Sequence, residues 1–407
     1  MSEWKKVKLI DCCLKIGSGS TPKGGSTVYV ESGTSFIRSQ NVYNLSFDYN
    51  GLTHITEDAA NKLNGVTIFN DDILLNITGD SVARTCIVPN DVLPARVNQH
   101  VAIVRADCKM INSRFLNYYL ASPGMQAHML SLAVGKGASR NAMTKQMIEN
   151  FEVPCPSLST QHRIATILSR YDSLIENYQK QIKLLEEAAQ RLYKEWFVDL
   201  HFPGHENTKI VDGVPEGWEK KKVGEIGKVI TGKTPSTAKK EYYGGQIPFI
   251  TIPDMHTGIY PTSSQFLSSL GANSQSGKFI PANSLMVSCI GTAGLVCITK
   301  EECQTNQQIN SLVLNDNSLL YYMYNTFLSL KGHLNNIGSN GATMTNVNKS
   351  KFESIEILIP TNSISNLYNK AVEQSFRSIE TLSSQVRLLT EARDRLLPKL
   401  MSGEIEI

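Results

Sequence analysis

Apolar side chains between Ile164 and Trp196 recur at alternating steps of four and three: Ile164, Leu168, Tyr171, Ile175, Tyr178, Ile182, Leu185, Ala189, Leu192 and Trp196. A strict 3.5-residue period over four heptads is the seam of a coiled coil, whereas a helix lying on a globular core drifts toward 3.6. Adding 204 to each number gives Tyr368, Val372, Ser375, Ile379, Leu382, Val386, Leu389, Arg393, Leu396 and Leu400, a second seam broken only by Ser375 and Arg393. Pro398 is expected to end or kink that second helix, because it has no N–H to donate and its ring clashes with the preceding turn. The rest of the chain is patterned differently. Short β-type runs at 73–78, 101–105, 285–290 and 311–314 alternate with Gly, Asn, Ser and Pro turns, and two Leu- and aromatic-rich stretches at 114–119 and 319–328 have helical spacing. The predicted fold class is α+β.

The two seams belong to a larger duplication, the signature of a repeated architectural unit. Trp4 opens W-K-K-V-K-L-I-D-C-C-L-K-I-G-S-G-S-T-P, and Trp218 opens W-E-K-K-K-V-G-E-I-G-K-V-I-T-G-K-T-P. Gly19-Ser20-Thr21-Pro22 thus corresponds to Gly232-Lys233-Thr234-Pro235, and Phe36-Ile37 to Phe249-Ile250 at the same offset of 213. Asn98-Gln99 matches Asn306-Gln307 at 208, and Gly137-Ala138-Ser139 matches Gly341-Ala342-Thr343 at 204, an offset that holds to Arg191-Leu192 and Arg395-Leu396. Loop lengths drift between the copies while the helix register does not. The division expected is a first globular domain at 1–155, a central helix at 156–200, a linker at 201–217, a second globular domain at 218–358, and a C-terminal helix and tail at 359–407.

Reach sets the expected orientation. The seam from 164 to 196 is roughly 48 Å long at ~1.5 Å per residue. Residues 201–217 would need nearly full extension, at ~3.3 Å per residue, to carry the second domain back along the helix. Antiparallel pairing needs no such stretch. It leaves one globular domain at each end of a rod, related by a pseudo-two-fold axis.

Composition adds bounds. A chain of 407 residues, 41% hydrophobic and 19% charged, has the balance of a folded protein with more than one core. No apolar run approaches the ~18 residues that span a bilayer, and the first residues lead into no apolar signal core, so a cytoplasmic protein without a membrane partner is expected. The eight cysteines, Cys12, Cys13, Cys86, Cys108, Cys155, Cys289, Cys297 and Cys303, form no C-x-x-C pair and no zinc spacing with histidine, and are expected to be reduced and mostly buried. A net charge of +3 is far from the basic excess that announces nucleic-acid binding by itself.

Candidate chemistry is sparse. Gly227-Lys-Val-Ile-Thr-Gly232-Lys233-Thr234 satisfies the phosphate-loop pattern, in which backbone N–H groups and a lysine wrap phosphates. Such a loop needs a helix directly after it. Pro235 turns Thr234 away from helical conformation, and the first copy keeps Gly19, Thr21 and Pro22 while losing the lysine, so the shared residues read as turn chemistry. His201 and His205 have helical metal spacing, but Pro203-Gly204 between them prevents the helix. Asp107-Cys108-Lys109 offers the D-x-K fragment of a nuclease without an acidic partner or a counterpart in the second copy. No catalytic residue and no metal ligand is assigned.

What remains is polar turns on two scaffolds: 135–141, 338–343, Arg38-Ser-Gln-Asn41 and Thr251-Ile-Pro-Asp254. Arg and Lys suit guanine edges and phosphate, while Asn and Gln suit adenine. A two-headed coiled-coil scaffold whose domains bind proteins is the alternative reading of the same loops.

The Trp-led start with G-x-T-P, the Pro154-Cys-Pro156 entry into a heptad helix, the doubling of both, and the ending Arg395-Leu-Leu-Pro-Lys-Leu-Met-Ser-Gly-Glu404 together resemble the specificity subunits of type I restriction-modification enzymes. The resemblance covers nearly the whole chain. It implies two target-recognition domains, each reading one half of a split site on double-stranded DNA, with the paired helices as a spacer. Half-sites on one face of the duplex lie about 34 Å apart per helical turn. It implies further that this chain carries no cofactor. It would dock two adenine-N6 methyltransferase subunits and two ATP-dependent translocase and nuclease subunits, which use S-adenosylmethionine, ATP and Mg2+.

If the two half-sites differ, residues identical in both copies cannot alone specify different bases. Thr21 and Thr234, Asn98 and Asn306, and Gln99 and Gln307 are therefore expected to hold turns or touch the DNA backbone. The base-reading candidates are Arg38, Gln40, Arg84, Lys136, Ser139 and Arg140 in the first copy, and Thr251, Asp254, His256, Lys278, Asn340 and Thr343 in the second.

Overall fold

The computed structural model describes residues 4–134, 141–339, 345–405 and 407. The chain divides into two compact units, Met1–Glu176 with Arg387–Ile407, and Asn177–Val386. Each long helix therefore contributes one part to each unit.

In the first unit the apolar runs form a four-stranded antiparallel sheet in the order Thr85–Ile87, Ile73–Asn76, Val101–Ala106, Cys13–Ser18. Ile73, Leu74, Leu75 and Val101 through Val104 are all fully buried, so the sheet is covered on both faces. Side-chain alternation decides which residue goes where. Ile73, Leu75, Ala102 and Val104 pack with Phe115, Leu116 and Met129 of two helices, Ser113–Ala121 and Pro123–Ala133, while Leu74, Val101 and Ile103 pack with Ile37, Val92 and Val97. A second sheet orders Tyr29–Val30, Thr53–Ile55, Thr34–Ile37, Ala95–Val97 and Thr67–Ile68, with Thr34–Ile37 parallel to Ala95–Val97.

The second unit repeats this design. Its four-stranded sheet runs Gly227–Thr231, Ile309–Leu314, Leu285–Ser288, Val296–Ile298, strand for strand the equivalent of the first. Its second sheet pairs Tyr243–Ile250 parallel to Gln304–Thr305, as Thr34–Ile37 pairs with Ala95–Val97. The short helices are started alike: Thr144 accepts the Met147 N–H in one unit, and Asn348, at the same 204 offset, accepts the Lys351 N–H in the other.

The long helices span Leu158–Tyr193 and Asn362–Met401. Every position of both predicted seams is buried or half-buried. In the first unit Ile164 and Leu168 share a core with Leu396, Leu397 and Leu400, and Asp172 binds Arg393 at 2.8 Å. In the second, Ala189 shares a core with Tyr368, Val372 and Ile379, and its carbonyl accepts the Tyr368 hydroxyl at 3.2 Å. Rising numbers on one helix thus meet falling numbers on the other, which is antiparallel pairing. Among the other seam positions, Ile175 is buried, Ile182, Leu185 and Leu192 pack against the second core, and Leu382, Val386 and Leu389 are half-buried. Pro398 does not end its helix, which continues to Met401. Proline in a last turn forfeits one backbone bond, and burial of Leu397, Leu400 and Met401 offsets it.

All eight cysteines are free, and burial pushes the thiols of Cys86, Cys289, Cys297 and Cys303 up to about 12, which keeps them as neutral packing groups.

The second core is rich in buried tyrosine. Desolvation raises Tyr322, Tyr324 and Tyr368, and Tyr260 with them, well above the ordinary phenol value of about 10. A group whose folded pKa is raised is neutral in both states below its unfolded value. Above it the unfolded chain releases protons that the folded chain retains, so stability falls as pH rises. Unit 2 should lose up to about 1.4 kcal/mol per tyrosine per pH unit above pH 10. Denaturant melts between pH 9 and 12, read by tyrosinate absorbance, should show unfolding and ionisation of these tyrosines in one step; early, independent titration would refute it.

Candidate nucleic-acid interface

One end of each four-stranded sheet gathers the turns shared by the two copies. In unit 1, Cys13–Ser18 leaves the sheet there into Gly19-Ser20-Thr21-Pro22, Ile73–Asn76 leaves into the hairpin loop 77–84, and Val101–Ala106 enters after Asn98-Gln99-His100. The pairs Ser18 with Ala102 and Asn76 with Val101 put these turns at one level. Gly19 is required, since a Cβ would lie 2.1 Å from the Val97 carbonyl oxygen. The Thr21 hydroxyl donates to Gln99 Oε1. The Thr78 hydroxyl sits 2.6 Å from His100 Nδ1, and Gln99 Nε2 sits 3.2 Å from His100 Nε2. Asn98, nearly buried, accepts the His100 N–H through its side chain and donates its own N–H to the Ile37 carbonyl.

Unit 2 rebuilds the threonine–glutamine tie and the asparagine turn of this arrangement, while Gln308, in the place of His100, accepts from Asn306 Nδ2 and donates to the Ile290 carbonyl. A Cβ on Gly232 would meet the Asn306 carbonyl oxygen at 2.1 Å. The Thr234 hydroxyl donates to Gln307 Oε1 at 2.6 Å, Asn306 Oδ1 accepts the Gln308 N–H at 3.1 Å, and the Asn306 N–H donates to the Ile250 carbonyl. Thr21, Asn98 and Gln99, with Thr234, Asn306 and Gln307, bind turn to turn. The phosphate-loop match fails here: Gly227–Thr231 is a strand, and the N–H groups of Gly232 and Lys233 donate to Ile309 and Thr305 carbonyls. The nuclease-like fragment is a local turn, with Asp107 Oδ1 accepting the Lys109 N–H.

The divergent residues sit on this common frame. Arg38 and Thr251 occupy equivalent positions, and both turns are capped by the fourth residue: Asn41 Oδ1 accepts the Arg38 N–H at 3.0 Å, and Asp254 Oδ2 accepts the Thr251 N–H at 2.8 Å. Asn41 and Asp254 are buried. The other Asp254 oxygen accepts the Ser264 N–H, so both oxygens of this carboxylate hold the loop together. Arg38 Nη2 and Gln40 Nε2 converge on the Gly51 carbonyl at 2.9 and 3.2 Å. His256 is exposed. Lys278 follows Gln275, whose amide donates to the Lys233 carbonyl. Arg84 lies at the hairpin end, its guanidinium 4.5 Å above the Tyr43 ring. Lys136, Ser139, Arg140, Asn340 and Thr343 lie outside the described residues.

Tyr43, Thr78, His100 and Gln308 were not among the sequence candidates, and Asn41 lay in a candidate turn without being a base-reading candidate. The duplication held a signal for some of them, because the offsets that relate Arg38 to Thr251 and Gln99 to Gln307 also relate Asn41 to Asp254 and His100 to Gln308. Among the described residues no group of three or more His, Cys, Asp and Glu side chains could hold a metal ion, and no helix is long and apolar enough to cross a membrane.

The repeated frame with unlike side chains is the geometry of two related recognition modules, and the comparison with known proteins agrees. Residues 1–187 and 215–384 match the model of the type I restriction modification DNA specificity domain. The chain belongs to this family. It is similar to the type I restriction enzyme HindI specificity subunit of Haemophilus influenzae, at 29% identity with the whole of both chains covered. It is also similar to the MjaIX specificity subunit of Methanocaldococcus jannaschii, at 27% identity over 99% of this chain and 93% of that one. Among solved structures, the type I restriction-modification S subunit from M. genitalium shares the fold, with a TM-score of 0.63 and 15% identity over 98% of this chain and 96% of that one. This type I specificity subunit is thus a DNA-recognition component, and its two specificity domains fit recognition of a bipartite target.

Proposed function

We propose that each unit of this specificity subunit reads a different half of a split double-stranded DNA site while the subunit organises a complex with two adenine-N6 methyltransferase subunits and two ATP-dependent translocase and nuclease subunits. S-adenosylmethionine, ATP and Mg2+ are used by those partners, and this chain contributes recognition without a reaction of its own, in the reducing cytoplasm that suits its free thiols. The observation that carries the reading is the repeated frame: Thr21 with Gln99 and Thr234 with Gln307 tie the same turns in both units, while Arg38, Gln40 and Arg84 are replaced by Thr251, Pro253 and Leu295. A shared frame gives both units the same approach to a duplex, and unlike side chains give them different sequences to read.

Of the base-reading candidates, Gln40 and His256 are exposed and Arg38, Arg84, Thr251 and Lys278 are half-buried. Asp254 serves the reader by shaping its turn. Single-molecule sequencing of N6-methyladenine in a host carrying this chain and its methyltransferase should return one motif made of two unlike halves and a fixed gap. A symmetric or undivided motif would refute the two-reader assignment, and no methylation with capture of a protein instead would favour the scaffold reading.

A further inference from the structure

We infer that Arg84, braced on Tyr43, is the guanine reader of the first unit. The inference rests on the DNA-reading role proposed above and adds a residue, a base and a half-site to it.

The Arg84 guanidinium carbon lies over the Tyr43 ring, 4.5 Å from its centroid, and among the described residues no hydrogen bond or ion pair holds it. Three other arginines of this globular domain are committed. Arg96 donates to the Ala60 and Ala95 carbonyls and to Asn64, Arg105 binds Asp72 at 2.7 Å, and Arg38 donates to the Gly51 carbonyl. A guanidinium lying on an aromatic face is held in its plane while its N–H groups point outward from the edge. That is the presentation a guanine needs, because O6 and N7 accept a planar pair of donors in the major groove. Tyr43 is 42% exposed, so the ring and its cation stand at the surface.

The pair is anchored to the turn cluster. The Arg84 carbonyl accepts the Asn76 N–H at 2.9 Å, and the Asn76 amide donates to the carbonyls of Ser39 and Val42, the residue before Tyr43. One buried asparagine therefore fixes the backbone beneath both members.

The duplication makes the pair private to one unit. The Ser288 N–H donates to the Leu295 carbonyl as the Asn76 N–H does to Arg84, which makes Leu295 the counterpart of Arg84. Continuing the offset of 213, the counterpart of Tyr43 is His256. Leucine and histidine cannot form this stacked cation, so whatever base Arg84 reads is specified in the first half-site and not through this position in the second.

The test uses the full chain assembled with its methyltransferase, with N6-methyladenine motifs sequenced for the wild type, Arg84→Ala, Arg84→Lys and Tyr43→Ala. The wild-type motif should contain a guanine in the first half-site. Arg84→Ala and Arg84→Lys should both relax that one position, with the other half-site unchanged and cognate binding weakened roughly 10- to 100-fold. Tyr43→Ala should relax the same position less. The unchanged half-site reports that the variants are folded, and Arg84→Lys separates readout from charge. A phosphate contact would survive Arg84→Lys and weaken all sequences evenly in Arg84→Ala. That result, an unaltered motif in every variant, or a first half-site without guanine overturns the assignment. A wild type without any split motif refutes the proposed function before the variants are read.

Discussion

Tyr368→Ala is expected to destabilise unit 2 by about 4 kcal/mol. The ring is fully buried at the start of the second long helix and lies 5.0 to 6.4 Å from the rings of Tyr193, Trp196 and Phe197 near the end of the first. Its hydroxyl accepts from Asn325 Nδ2 and donates to the Ala189 carbonyl. Truncation leaves a cavity that stiff aromatic neighbours cannot close, and it removes the partner of a buried amide. Tyr368→Phe keeps the ring and should cost only about 1 kcal/mol. Urea unfolding of both variants checks this; equal losses would mean that the hydroxyl bonds, not packing, hold this helix contact.

Arg393→Met should cost unit 1 about 3 kcal/mol. Arg393 breaks the apolar period of its seam, and its side chain is 13% exposed against 18% for Asp172. Asp172 also accepts the Tyr118 hydroxyl, so its charge is balanced by one cation and one neutral donor. Removing Arg393 leaves a mostly desolvated carboxylate with the hydroxyl alone. Asp172→Asn combined with Arg393→Met should recover most of the loss, because a neutral amide can still accept from Tyr118. The measurement is a double-mutant cycle by chemical denaturation. Additive single losses would show that the two residues act independently.

This ion pair also marks where sequence reasoning reached and where it stopped. Heptad spacing identified Arg393 as a seam position, but spacing says nothing of what faces it. Asp172, one residue off the first seam at Tyr171, is brought opposite by the antiparallel pairing. Likewise, the constant offset of 204 locates both helices, while Pro398 does not stop a helix in a last turn whose apolar residues are buried.

The duplication, the α+β class, the long-helix seams and the short strands are all legible in the order of residues. Each depends on local periodicity or on self-similarity along the chain, which are one-dimensional properties. The same order also marks which turn residues are common to both copies. What those residues do emerges only in the folded chain, because Thr21 and Gln99 are 78 positions apart and meet only when two strands end at one level of a sheet. The same holds for Arg84 and Tyr43. Divergence between the copies singled out Arg84 alone, but the ring that orients it comes from another turn, joined to it by the buried amide of Asn76.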